Sequence, residues 1–128
     1  VAVILPVGEG RQVAWVFGME EHAGIWKVDT ATQVRNPPRL RTGMQLTTGT
    51  WYTVDIEVIP EGDNVKIRAF INGRGHVAWQ GPKSALSLYE AWKLPDGNAL
   101  GLMANVSVFE FTALKLTMLS GEARALGE

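Results

Sequence analysis

"WYTVDIEVIPEGDNVKIRAFINGRGHVAWQ", residues 51–80, decides the fold. Its first part alternates strictly. Tyr52, Val54, Ile56 and Val58 share one parity, while Trp51, Thr53, Asp55 and Glu57 share the other. Val65, Ile67, Ala69 and Ile71 repeat the apolar set, opposed by Lys66, Arg68, Phe70 and Asn72. A period of two over eight residues is a half-buried strand. Gly62 in Glu61-Gly62-Asp63-Asn64 can take a positive φ, so the two strands form a hairpin. With Gly62-Asp63 at the turn, Val58 faces Ile67 and Ile56 faces Ala69 on the buried side. Glu57 then faces Arg68 and Asp55 faces Phe70 on the other. A one-residue slip would bury charges, which fixes this register.

Beyond Ile71 the Asn72-Gly73 dipeptide signals a two-residue type I′ turn. An even-length turn keeps Val77 and Trp79 on the face of Arg68 and Phe70, and that is the expectation here. A bulge using Gly73 or Gly75 would reverse the parity and bury Trp79. On the even reading, Trp51, Phe70 and Trp79 stand beside Asp55, Glu57, Lys66 and Arg68. The connection "GPKSALSLYEAWKLPDGN", residues 81–98, then brings Trp92 or Tyr89 to Trp79. Ser87-x-x-Glu90 forms a capping box for a single helical turn ending near Trp92.

The rest of the chain follows the same period. Strands are predicted at 1–7, 12–18, 25–30, 51–59, 65–72, 76–80, 99–104 and 106–118, separated by glycine and proline breaks. Short strands at this spacing make a two-sheet antiparallel sandwich. Trp15, between Val13 and Phe17, and Trp26, in phase with Val28, belong to the core. Phe109 and Phe111 differ in parity from Leu114, Leu116 and Met118. A bend at Thr112-Ala113 would turn all five inward.

Composition bounds the rest. A chain of 128 residues makes one domain, with 120–128 as its tail. Twelve basic against thirteen acidic residues give a net charge of -1, without the positive field a nucleic-acid partner requires. No cysteine is present, so disulfides and zinc–thiolate sites are excluded. No apolar run approaches the ~20 residues of a membrane helix, and membrane insertion is not expected. The opening "VAVILPVG" lacks the charged start of a signal peptide. It reads as a strand of a domain belonging to a longer protein.

"TGTWYTVDIEV", "VKIRAFINGRGHVAWQG" and "ALGLMANVSVFEFTALKL" together resemble the concanavalin A-like lectin/glucanase superfamily. The resemblance extends to laminin G-like and 3-keto-disaccharide hydrolase-like domains, and to modules attached to planctomycete proteins, some associated with kinases. It covers roughly residues 43–119. It implies a jelly-roll sandwich, with an extracellular or cell-surface setting. Glucanases of this superfamily carry three acidic residues at alternate positions of one strand, the first being the nucleophile. The position of that first acid is Thr53 here, and Asp55 and Glu57 share their hairpin face with Arg68 and Lys66, cations that disfavour a general acid.

Other chemistry has little support. His22 lies in a loop and His76 starts a strand, neither with a second ligand at metal spacing. Calcium, common among relatives of this fold, requires clustered oxygen ligands, and Pro95-Asp96-Gly97-Asn98 reads as a plain turn. Gly8-Glu9-Gly10 and Gly73-Arg74-Gly75 lack the strand-to-helix context of a phosphate loop. Arg35, Arg39 and Arg41, around Asn36-Pro37-Pro38, read as a solvated loop, the alternative being an anion or carbohydrate rim. The expectation is a non-catalytic recognition module without cofactor. Carbohydrate is its leading ligand, held by Trp51, Asp55, Glu57, Arg68, Phe70, Trp79 and Trp92. The alternative is a protein-interaction domain positioning a neighbouring enzyme or kinase. A glycoside-active enzyme comes third.

Overall fold

The computed structural model describes residues 1–19, 22–26, 42–43, 46–104 and 108–124. At 18–19, 22–26, 42–43 and 77 it describes the backbone alone. The chain is all-β. β1 (Ala2–Gly8), β2 (Arg11–Met19), β3 (His22–Trp26), β4 (Thr42–Gly43) and β8 (Gly101–Met103) form one antiparallel sheet in the order β4-β3-β2-β1-β8. β5 (Val54–Glu61), β6 (Asn64–Ile71) and β7 (Arg74–Pro82) form the second, in chain order. Arg35, Arg39 and Arg41 lie outside the described residues, as do the side chains of His22 and Trp26.

Alternation decides what the sheets bury. Leu5, Val7, Val13, Trp15 and Phe17 project from the first sheet onto Val65, Ile67, Ala69 and Ile71 of the second. Trp15 is fully buried, its ring 6.2 Å from that of Phe17. The β5–β6 register pairs Asp55 with Phe70, Ile56 with Ala69, Glu57 with Arg68 and Val58 with Ile67, as the hairpin reading predicts. Gly62 alone of its turn has positive φ, the pattern of a type II′ turn.

The next hairpin departs from expectation. Asn72 and Gly73 both have positive φ, at 50° and 74°, and Ile71 pairs with Arg74, so the type I′ turn forms. One step further, Phe70 pairs with Gly75 while Ala69 pairs with Val77. The extra residue is a bulge at Gly75–His76, and it inverts everything after it. Trp79 therefore pairs with Ile67 and packs on the main core, not on the Arg68 face. Its indole lies over Gly81, where a Cβ would stand 2.8 Å from Cζ2.

The connection after β7 covers a different surface. A 3-10 turn at Lys83–Ala85 is anchored by the buried Lys83, whose Nζ lies 3.1 Å from Glu9 Oε1 in the β1–β2 turn. Leu86 then enters the main core. Leu88, Trp92 and Leu94 pack instead with Ala2, Ile4, Ala14 and Val16, on the outside of the five-stranded sheet. Sending Leu86 and Leu88 to separate clusters keeps the backbone at Leu86 and Tyr89 extended. The Ser87 capping box consequently does not form, and the 3-10 turn that follows is Glu90–Trp92, with Tyr89 as an N-cap whose side chain does not cap the turn.

The strand expected at 106–118 is absent from the described residues 108–124, which carry no regular structure. Phe109, Phe111, Leu114, Leu116 and Met118 are exposed rather than turned inward.

Candidate functional site

The outer face of the three-stranded sheet holds most of the predicted site. Across it run the rows Asp55–Phe70–Gly75 and Glu57–Arg68–Ala78. Glu57 Oε2 and Arg68 Nη2 are 2.6 Å apart, each side chain about two-fifths exposed. An ion pair this open is worth ~0–1 kcal/mol. Its effect here is positional, since it fixes a planar guanidinium in the middle of the face. Further along, Gln80 Nε2 donates to Glu61 Oε2 at 3.3 Å.

Phe70 is half-buried and belongs to neither buried cluster. Its ring lies 3.9 Å from the position a Cβ on Gly75 would take, so it lies against the bulge. Ala78 leaves the space across from Arg68 open. Trp51, just ahead of β5, is 62% exposed. Tyr52 packs on the main core, and its hydroxyl accepts from the Thr47 N–H at 3.0 Å. Beside it, Trp51 stands in solvent.

Two predicted members leave the site. Trp79 is on the core face of β7, for the bulge moves it there. Trp92 packs on the far side of the other sheet, where its ring meets Tyr89 edge-on with centroids 6.1 Å apart. The two indoles never form a pair. Trp51, Asp55, Glu57, Arg68 and Phe70 remain. The signal for Trp79's placement was Gly75, one residue past the turn, and it is the residue that the bulge uses.

Thr53 uses its backbone to continue the β5–β6 ladder: its N–H donates to Asn72 Oδ1 at 2.9 Å and its carbonyl accepts from Asn72 N at 2.8 Å. Pro95–Asn98 is a turn, in which Asp96 Oδ1 accepts from the Asn98 N–H at 2.8 Å. Among the described residues no three His, Asp or Glu side chains converge as metal ligands, and no helix is long and apolar enough to cross a membrane.

No family model, curated protein or solved structure matches the chain, so the site rests on its own geometry.

Proposed function

We propose that the chain is a non-catalytic recognition module of concanavalin A-like, jelly-roll type, binding carbohydrate on the outer face of the three-stranded sheet. One observation carries the reading: an exposed indole, Trp51, stands ahead of a row of polar groups, the exposed Asp55 and the Glu57–Arg68 ion pair. Sugars suit such a surface. Their C–H faces stack on an aromatic ring while their hydroxyls exchange hydrogen bonds with carboxylate and guanidinium. Glycoside hydrolysis is not part of this reading, because Glu57 is held by Arg68 and Thr53 supplies no carboxylate.

A glycan-array screen of the chain and its Trp51→Ala variant tests it. Binding is expected to fall at least about tenfold, a loss of ~1.4 kcal/mol. The melting temperature should be unchanged, since Trp51 is not part of the core. Trp79→Ala should instead lower stability, towards the lower end of the ~3–5 kcal/mol that buried aromatics cost. Failure of the parent to bind any glycan, or full retention of binding by Trp51→Ala, would overturn the proposal.

A second reading, a protein-interaction domain that positions a neighbouring enzyme or kinase, has its own support. Residues 108–119 hold Val108, Phe109, Leu114 and other large apolar side chains in solvent. Exposed apolar runs of this kind mark association surfaces.

A further inference from the structure

Among the described residues, this one chain holds both a sheet edge without a neighbouring strand and a strand-like segment outside any sheet. β5 is an edge of the three-stranded sheet. The other described edges carry the features that protect edges from pairing. β4 has two residues and β8 three, while β7 is bulged near its start and ends at Pro82. β5 runs eight residues in unbroken register.

Its free groups can be located. Thr53 and Asn72 are a hydrogen-bonded pair, and Glu61 with Asn64 closes a two-residue turn. Bonded pairs alternate along an antiparallel ladder. The N–H and C=O groups of Val54, Ile56 and Val58 therefore point away from β6. Pro60, which has no N–H, falls in the same outward set. Side chains on this edge are short of a neighbour as well. Val54 is 36% exposed and Ile56 and Val58 are half-buried, whereas their partners Ile71, Ala69 and Ile67 are buried.

Leu114-Lys115-Leu116-Thr117-Met118 has the complementary pattern. Its apolar residues alternate with polar ones and are 62%, 54% and 45% exposed. We propose that this segment of one copy adds as a fourth strand to β5 of a second copy, reciprocally, giving a two-fold dimer. Laid antiparallel with Leu116 opposite Ile56, Leu114 meets Val58 and Met118 meets Val54. The same register puts Lys115 opposite Glu57 and Thr117 opposite Asp55. The parity that buries the leucines thus brings the segment's one charge against the acidic row of β5, a favourable cross-strand pair. A second copy is the occupant because the chain's own residues 114–118 stand in solvent while, among the described residues, no strand pairs with the outer edge of β5. Reciprocal exchange satisfies both needs twice.

Light scattering coupled to size exclusion, over a wide concentration range, should show a species of twice the 14.0 kDa chain mass. Hydrogen exchange in that species should be slow at Val54, Ile56 and Val58 and along 114–118. The double variant Leu114→Asp/Leu116→Asp should be monomeric with unchanged circular dichroism, since both side chains are exposed in the single chain. Lys115→Glu should weaken the dimer severalfold and leave the monomer intact. A monomer at every concentration overturns the proposal. If residues 114–118 are then protected, the segment closes on its own chain; if not, the edge takes no strand. A dimer that survives the double Asp variant overturns it too, because its interface lies elsewhere.

Discussion

Tyr52 and Trp51 are adjacent, and their environments could hardly differ more. Tyr52 lies against the core and offers its oxygen to the Thr47 backbone N–H at 3.0 Å, while Trp51 stands in solvent. That backbone hydrogen bond is the main reason the Tyr52 phenol is held below its ordinary value of 10.0. A Thr47 side-chain bond adds to the effect, and partial burial opposes it. A lowered pKa means that the fold favours phenolate. The resulting stabilisation is fully present above the ordinary value and disappears as pH falls through the lowered one. At neutral pH it contributes nothing. Subtracting the alkaline ultraviolet titration of Tyr52→Phe from that of the parent should isolate a phenol ionising below 10. A difference curve centred at or above 10 would show that the Thr47 bond does not form in solution. Such a contact is invisible to sequence reading, because neither residue type nor spacing announces a backbone donor five residues away.

Elements were legible where local chemistry alone decided them. The β5–β6 register follows from two apolar rows and one glycine turn, and every predicted pair in it is present. Trp79 shows where that stops. Asn72-Gly73 signalled the turn correctly, but a bulge adds its residue after the turn, and the core's need for an indole over Gly81 is a tertiary demand. Ser87 failed for a related reason, since Leu86 and Leu88 required an extended path. Gln12 is an element-scale device that sequence reasoning missed. Buried on β2, it donates from Nε2 to the Asp96 carbonyl at 2.9 Å and accepts the Leu94 N–H on Oε1 at 3.0 Å. The clamp presses the 95–98 turn onto the β1–β2 turn, so closely that a Cβ on Gly97 would lie 2.3 Å from the Gly10 oxygen. Gln12→Leu strands both backbone groups and should cost about 1–3 kcal/mol in urea denaturation. Parent-like stability would mean that the connection is held elsewhere.

At the scale of the whole molecule, β1 and β2 at the heart of the five-stranded sheet are covered on both faces. Its inner face meets β5–β7 through Trp15, and its outer face meets the connection through Leu88, Trp92 and Leu94. β1 supplies both sides, with Leu5 and Val7 pointing inward and Ala2 and Ile4 outward. Two layers that share a strand cannot separate without exposing one of its faces. One cooperative transition is therefore expected, as for most single domains of this size. Leu88→Ala probes the coupling, because Leu88 is buried in the outer layer alone. Removing it should cost ~2–5 kcal/mol, the usual range for a buried leucine. If the layers are coupled, the urea midpoint falls while tryptophan fluorescence and far-ultraviolet circular dichroism still move together. Trp15 in one layer and Trp92 in the other make fluorescence sensitive to both. An early fluorescence change ahead of the loss of β signal would mark the outer layer as a separately melting cover. The sandwich would then stand without its connection, and β1 would not couple the two layers.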